Sequence, residues 1–152
     1  MAGGESSWRY PHVNLGERPL PDGSAVLRPC VTVASTRSRI AHIGVVDSGS
    51  PISVADPAFL AHLGIDLSQT PIMKIPLGMG ASFDTVPLFE VEMALLPPER
   101  DGPPATWTAV VGARPRWKHP FAVLLGQRGW FHTFSTTIDR THTTVHLVAN
   151  TN

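Results

Sequence analysis

Apolar residues in this chain come in short runs with a period of two, separated by proline, glycine and small polar residues. That is the pattern of many short strands joined by turns. Val26, Leu27, Val31 and Val33 suit one strand, with Pro29 marking an edge or a bulge. Ser35-Thr36-Arg37-Ser38 is turn material, and Arg39 to Val46 returns as the second strand of a hairpin. Val86 to Leu96 is another strand, in which Val91, Met93 and Leu95 alternate with Glu90, Glu92 and Ala94. Trp107 to Val111 and Phe121 to Leu125 follow. Thr133 to Asp139 and Thr143 to Val148 read as a closing hairpin around Arg140-Thr141-His142.

One segment breaks the period. Asp56-Pro57 supplies an N-cap and a proline at the first helical position, Phe59, Leu60 and Leu63 form one apolar stripe, and Gly64 stops the helix. Residues 1 to 24 are rich in Gly, Ser and Pro and are expected to be a loosely ordered arm, leaving 25–150 as the folded domain.

Between the helix and the Val86 strand lies Ile72-Met73-Lys74-Ile75-Pro76-Leu77-Gly78-Met79-Gly80-Ala81-Ser82. Extended segments flanking Gly-x-Gly predict a hairpin with a mobile tip at Leu77, Gly78, Met79 and Gly80. An ordinary hairpin loop fits the same residues. A phosphate-binding loop does not, since no Lys-Ser/Thr follows the glycines.

At 152 residues, with 42% hydrophobic and 16% charged content, the chain is expected to be a single globular domain. Lys+Arg 12 balance Asp+Glu 12, so no basic field attracts nucleic acid or an anionic membrane. The basic, aromatic loop from Arg114 to Pro120 does not change that expectation. The single Cys30 cannot form an intramolecular disulfide. Met1 to Tyr10 lacks a basic-then-apolar signal pattern and no run reaches transmembrane length, so a cytoplasmic location is expected. His142 and His146 would share one strand face, with His132 nearby. No cysteine or carboxylate spacing completes a metal site, and neither metal nor cofactor is expected.

The stretch with the most chemistry is Ile43-Gly44-Val45-Val46-Asp47-Ser48-Gly49-Ser50. A buried strand drives into a carboxylate, which is costly to bury unless it is hydrogen-bonded, paired or used. Gly49 lets backbone N–H groups approach that carboxylate, and Ser48 adds a hydroxyl beside it. Asp-Ser-Gly alone could equally cap a bend at a strand-to-turn junction. Further on, Phe121-Ala122-Val123-Leu124-Leu125-Gly126 is a second apolar run ending at glycine, followed by Gln127 to Phe131, expected as a short helical segment.

Taken in order, these two motifs resemble those of the retropepsin-like aspartic proteases, over roughly residues 25 to 148. The closest likeness is to single-domain bacterial members, which carry Leu-Gly-Gln-Arg-Gly followed by aromatics. The resemblance implies an all-β fold, half of an acid-protease barrel with one or two short helices, completed as a homodimer. It also implies an aspartic endopeptidase with Asp47 catalytic, supported by Ser48, Gly49 and Ser50, and a substrate-binding flap at Leu77, Gly78, Met79 and Gly80. Leu125 and Gly126 would pack as the second motif.

Aspartic proteolysis needs two carboxylates, and the chain has one Asp-Ser-Gly. Asp22-Gly23-Ser24 is scrambled, and Asp84-Thr85 is followed by Val86. The expected partners are therefore a second copy of the chain and a peptide or protein substrate. Two positions depart from viral members: Ile52 stands where an acidic residue is common, and Gln127 where arginine follows the second-motif glycine. A second reading is a catalytically silent module of the same fold that binds peptides or dimerises.

Overall fold

The protein is described by a computed structural model covering residues 6–79, 82–99 and 102–150. Its strands are β1 (Ser7–Pro11), β2 (Val13–Asn14), β3 (Leu27–Arg28), β4 (Cys30–Ala34), β5 (His42–Val46) and β6 (Ser53–Ala55). After helix α1 (Pro57–His62) come β7 (Met73–Met79), β8 (Ser82–Leu95), β9 (Ala105–Ala113), β10 (Val123–Leu125), β11 (Phe134–Asp139) and β12 (Thr144–Ala149).

The main sheet runs β4-β5-β10-β6-β9-β8-β7, and β4 also pairs with β8 through Val33↔Leu95 and Ala34↔Ala94. That last pairing closes six strands into a barrel and leaves β7 outside it, attached only to β8. Closure removes sheet edges everywhere except along β7. The alternation expected for β8 holds: Val91, Met93 and Leu95 are buried while Glu90 and Glu92 are exposed. Ala94, expected with the outward set, is instead buried, at the point where β8 pairs with β4 to close the barrel.

The helix forms where its caps predict. Asp56 Oδ1 accepts from the Ala58 amide at 2.9 Å, Pro57 opens the first turn, and Gly64 ends it at φ +90°. Phe59 and Leu60 are its buried residues. Pro29 interrupts the first hairpin as expected, separating β3 from β4.

Three expectations are corrected. The N-terminal segment is held where it was expected to be loose. β1 pairs antiparallel with β12, from Ser7↔Val148 to Pro11↔Thr144, as the outer member of a three-stranded sheet β1-β12-β11. Tyr10 is buried and its hydroxyl donates to the Leu96 carbonyl, a contact invisible in a Gly/Pro-rich composition. Gln127 to Phe131 is not helical. Gly129 takes φ +95°, outside the right-handed helical region, and Arg128 and Gly129 make isolated bridges to Ile52 and Gly126. Finally, His142 lies in the β11–β12 turn, its Nδ1 2.6 Å from Asp139 Oδ2, and so shares no strand face with His146 on β12.

The core joins the barrel to the smaller sheet through aromatics. Trp107 on β9 meets Trp130 edge-on at 5.5 Å and Phe134 of β11 at 5.3 Å, and all three are buried. Among the described residues, no helix is long and apolar enough to cross a membrane.

Candidate active site

Asp47 directly follows β5, and its position is fixed by an inserted strand. β10 comes late in the chain yet lies between β5 and β6, parallel to β5 (Val123↔Gly44, Leu125↔Val46) and antiparallel to β6 (Val123↔Ala55). Gly44 makes room: a Cβ there would stand 2.9 Å from Leu125 Cδ1. The ladder continues past β5, where the Asp47 amide donates to the Leu125 carbonyl at 2.9 Å.

The loop then folds over its own carboxylate. The Gly49 amide donates to Asp47 Oδ1 at 2.8 Å, and a Cβ on Gly49 would lie 3.1 Å from that oxygen. The glycine is therefore used for close approach, as the sequence suggested. The Ser50 amide donates to the Asp47 carbonyl at 3.2 Å, and Ser50 Oγ donates to the Ile52 carbonyl at 2.6 Å, so Ser50 braces the loop.

The second motif locks this loop from beneath. Leu125 is fully buried. Gly126 has no space for any side chain, since a Cβ would sit 2.1 Å from the Ile52 carbonyl oxygen and 2.7 Å from that of Ser50. Its amide donates to Ser53 Oγ at 3.0 Å, and Ser53 Oγ donates onward to the Arg128 carbonyl at 2.7 Å. The Gln127 amide donates to the Ser50 carbonyl at 2.8 Å, and Gln127 Nε2 donates to the Ser48 carbonyl at 2.9 Å. Gln127 thus ties the two motifs within one chain by neutral hydrogen bonds.

Asp47 and Ser48 line a cavity of about 580 Å³. Its floor is apolar, with Val45, Val46, Val54 and Leu124. One wall is the loop after β9, which contributes Trp117, His119, Pro120 and Phe121. Trp117 Nε1 donates to the Phe121 carbonyl at 2.7 Å, and the His119 and Phe121 rings stack at 5.1 Å. Partial burial, with Arg114 adding a smaller effect, holds His119 below the ordinary histidine pKa. The lining also includes Leu15, Glu17 and Arg28. Glu17 takes Arg28 in a bidentate pair of 2.6 and 2.7 Å, which lowers the Glu17 pKa and raises that of Arg28. Glu17 is thus neutralised, and Asp47 is the other carboxylate among the described residues lining the cavity.

The predicted flap residues stand apart from this cluster. Leu77 and Gly78 belong to β7 and pair with Asp84 and Phe83 across an antiparallel hairpin whose last described pair is Met79↔Ser82. Gly78 is an extended strand residue without positive φ, and its missing Cβ faces the Phe83 ring at 3.2 Å. Neither Leu77 nor Gly78 lines the cavity. Gly80 lies outside the described residues.

Sequence reasoning missed Ser53, whose buried hydroxyl has no pattern to reveal it. It also missed the aromatic wall, although the alternation of Trp117, His119 and Phe121 was a usable signal. Glu17 lay hidden within a presumed arm. Cys30 is buried, which pushes its thiol pKa up to about 11, and it takes no part in the site.

No protein-family model matches the sequence, and no curated protein matches it. Solved structures do. A retropepsin-like aspartic protease from Rickettsia conorii superposes with a TM-score of 0.56 over 95% of this chain and 92% of that one, at 12% identity. The chain has the retropepsin-like fold. Simian foamy virus protease (TM-score 0.41, 15% identity, 64% of this chain, 86% of that one) superposes more loosely. So does EIAV protease in complex with an inhibitor (TM-score 0.37, 19% identity, 66% and 82%).

Proposed function

We propose that this chain is an aspartic endopeptidase whose active site forms between two copies, each contributing Asp47. The observation that carries the proposal is the placement of Asp47: beside a peptide-sized apolar cavity, carboxylate braced by Gly49, on a loop whose Ser48 and Gly49 face solvent. A single carboxylate cannot perform the reaction, and a two-fold axis past this open loop would supply the second.

In the paired site, one carboxylate is ionised and the other protonated, since two so close share one proton. The ionised group takes a proton from a water as its oxygen attacks the peptide carbonyl carbon. The protonated group donates to the carbonyl oxygen. The tetrahedral diol then collapses: the protonated carboxyl gives its proton to the departing nitrogen, the C–N bond breaks, and a diol hydroxyl passes its proton to the ionised carboxylate as the new carbonyl forms, so that the dyad again holds one proton. An extended peptide would lie in the cavity, covered by the hairpin tip at Leu77 to Gly80.

The decisive variant is Asp47→Asn, nearly isosteric. Loss of the dyad is expected to lower kcat by a factor of about 10³ or more, with the melting temperature little changed. Peptide cleavage persisting at a comparable rate in the variant would exclude the mechanism.

A further inference from the structure

The loop that walls the cavity also holds the hairpin. Arg116 Nη2 lies 2.5 Å from Asp84 Oδ1, and Asp84 stands opposite Leu77 in the β7–β8 hairpin. The Asp84 side chain is only 15% exposed while that of Arg116 is 71% exposed, so the cation reaches down to a largely covered carboxylate. Arg116 does so from φ +55°, a left-handed conformation that an L side chain adopts only when its surroundings impose it. The next residue, Trp117, turns onto the cavity wall and closes the loop on itself through the Phe121 carbonyl.

Among the described residues, the hairpin's outer strand has little else to hold it there, although Val86 at its base is buried against the barrel. β7 pairs with β8 alone, Met73 is 52% exposed, and Phe83 is 81% exposed beside Gly78. An ion pair between a braced wall and an otherwise weakly held hairpin is placed to decide how far the hairpin stands from the cleft.

We propose that Arg116 and Asp84 form a latch joining the β7–β8 hairpin to the aromatic wall, so that opening the hairpin to admit a peptide requires breaking this pair. The role in peptide entry rests on the endopeptidase reading. The latch itself is a physical property of the chain. Arg116 acts here as a positioning residue, through the hairpin, and touches no reacting atom.

Hydrogen exchange on the intact chain reads the latch without any substrate. Arg116→Gln or Asp84→Asn should speed exchange of the described hairpin amides about two- to fivefold, the range expected of a solvent-accessible pair, and leave β5 and β10 unchanged. Raising salt from about 0.05 M to about 0.5 M should accelerate the same amides in the wild type and not in Arg116→Gln. Exchanging the charges, Arg116→Asp with Asp84→Arg, should restore part of the protection. With a quenched fluorescent peptide bearing apolar central residues, Arg116→Gln should lower KM by a similar factor at unchanged kcat, because the hairpin no longer has an ion pair to break before peptide enters. Unaltered hairpin exchange in both single variants, acceleration spread over the whole barrel, or an unaltered KM would each overturn the latch. If the wild type cleaves no peptide while hairpin exchange still responds to charge and salt, the latch stands and the peptidase reading falls.

Discussion

The Asp47 loop and the β7–β8 hairpin are built in opposite ways. Around Asp47 the backbone is tied to the second motif: the Asp47 amide to Leu125, the Ser50 carbonyl to Gln127, the Ser48 carbonyl to the Gln127 side chain. Beneath it Gly126 is packed against backbone so closely that no Cβ fits. In the hairpin, β7 pairs only with β8, Ile72, Met73 and Phe83 are exposed, and among the described residues one ion pair, Arg116 to Asp84, ties it to the aromatic loop. On the proposed two-copy site, a carboxylate that must meet its mate within hydrogen-bond reach needs the first kind of support. A cover that must move needs the second, and local stability is expected to differ accordingly.

The sharpest way to break this contrast is to attack the rigid side. Gly126→Ala forces a methyl into the Ile52 and Ser50 carbonyl oxygens, which the backbone cannot vacate without moving the Asp47 loop. A stability loss of about 3 kcal/mol or more is expected, at or beyond the usual limit for overpacking, with activity lost in whatever still folds. Denaturant unfolding measures it. A loss below about 1 kcal/mol would mean that the loop is not locked as described.

The hairpin should respond differently to a larger insult. In Gly78→Val the new side chain meets the exposed Phe83 ring, which can swing aside, and valine suits a strand. The melting temperature should move little, by the equivalent of about 1 kcal/mol or less. If this hairpin is the cover, kcat/KM should fall about tenfold, roughly 1.4 kcal/mol of barrier. An unchanged kcat/KM in the folded variant would remove Leu77 to Gly80 from the site.

The smallest effect concerns acid. Burial, helped by the neighbouring His62, lowers the His42 pKa, so the unfolded chain takes up that proton more readily than the folded one. Stability should therefore decline as pH falls below about 6.5, the unfolded value, before the lowered carboxylates Glu17, Asp22, Asp66 and Asp139 begin to be protonated. His42→Gln should flatten the upper part of that decline. An identical pH profile for the variant would assign the decline elsewhere.

Much of this was legible in the residues. The two apolar runs ending at Asp47 and Gly126 announce strands that stop at special residues, and the caps of α1 fix its ends, because both signals are local. The β5–β10–β6 interleaving is not local, and only tertiary pairing shows that the two runs are neighbours. The arm was misjudged for the same reason, since Tyr10 and Glu17 find partners 86 and 11 residues away. Gln127 to Phe131 resembled a helix in composition, but Gly129 and the bridges to Ile52 override that propensity.

The central claim is that one site needs two Asp47 side chains, and mixing tests it most directly. Wild type and Asp47→Asn, refolded together at fixed total concentration, should pair at random. If both carboxylates are required, activity follows the square of the wild-type fraction, so that activity per wild-type chain falls as the variant is added. Activity strictly proportional to the wild-type fraction at every mixture would place a complete site within one chain and contradict the account.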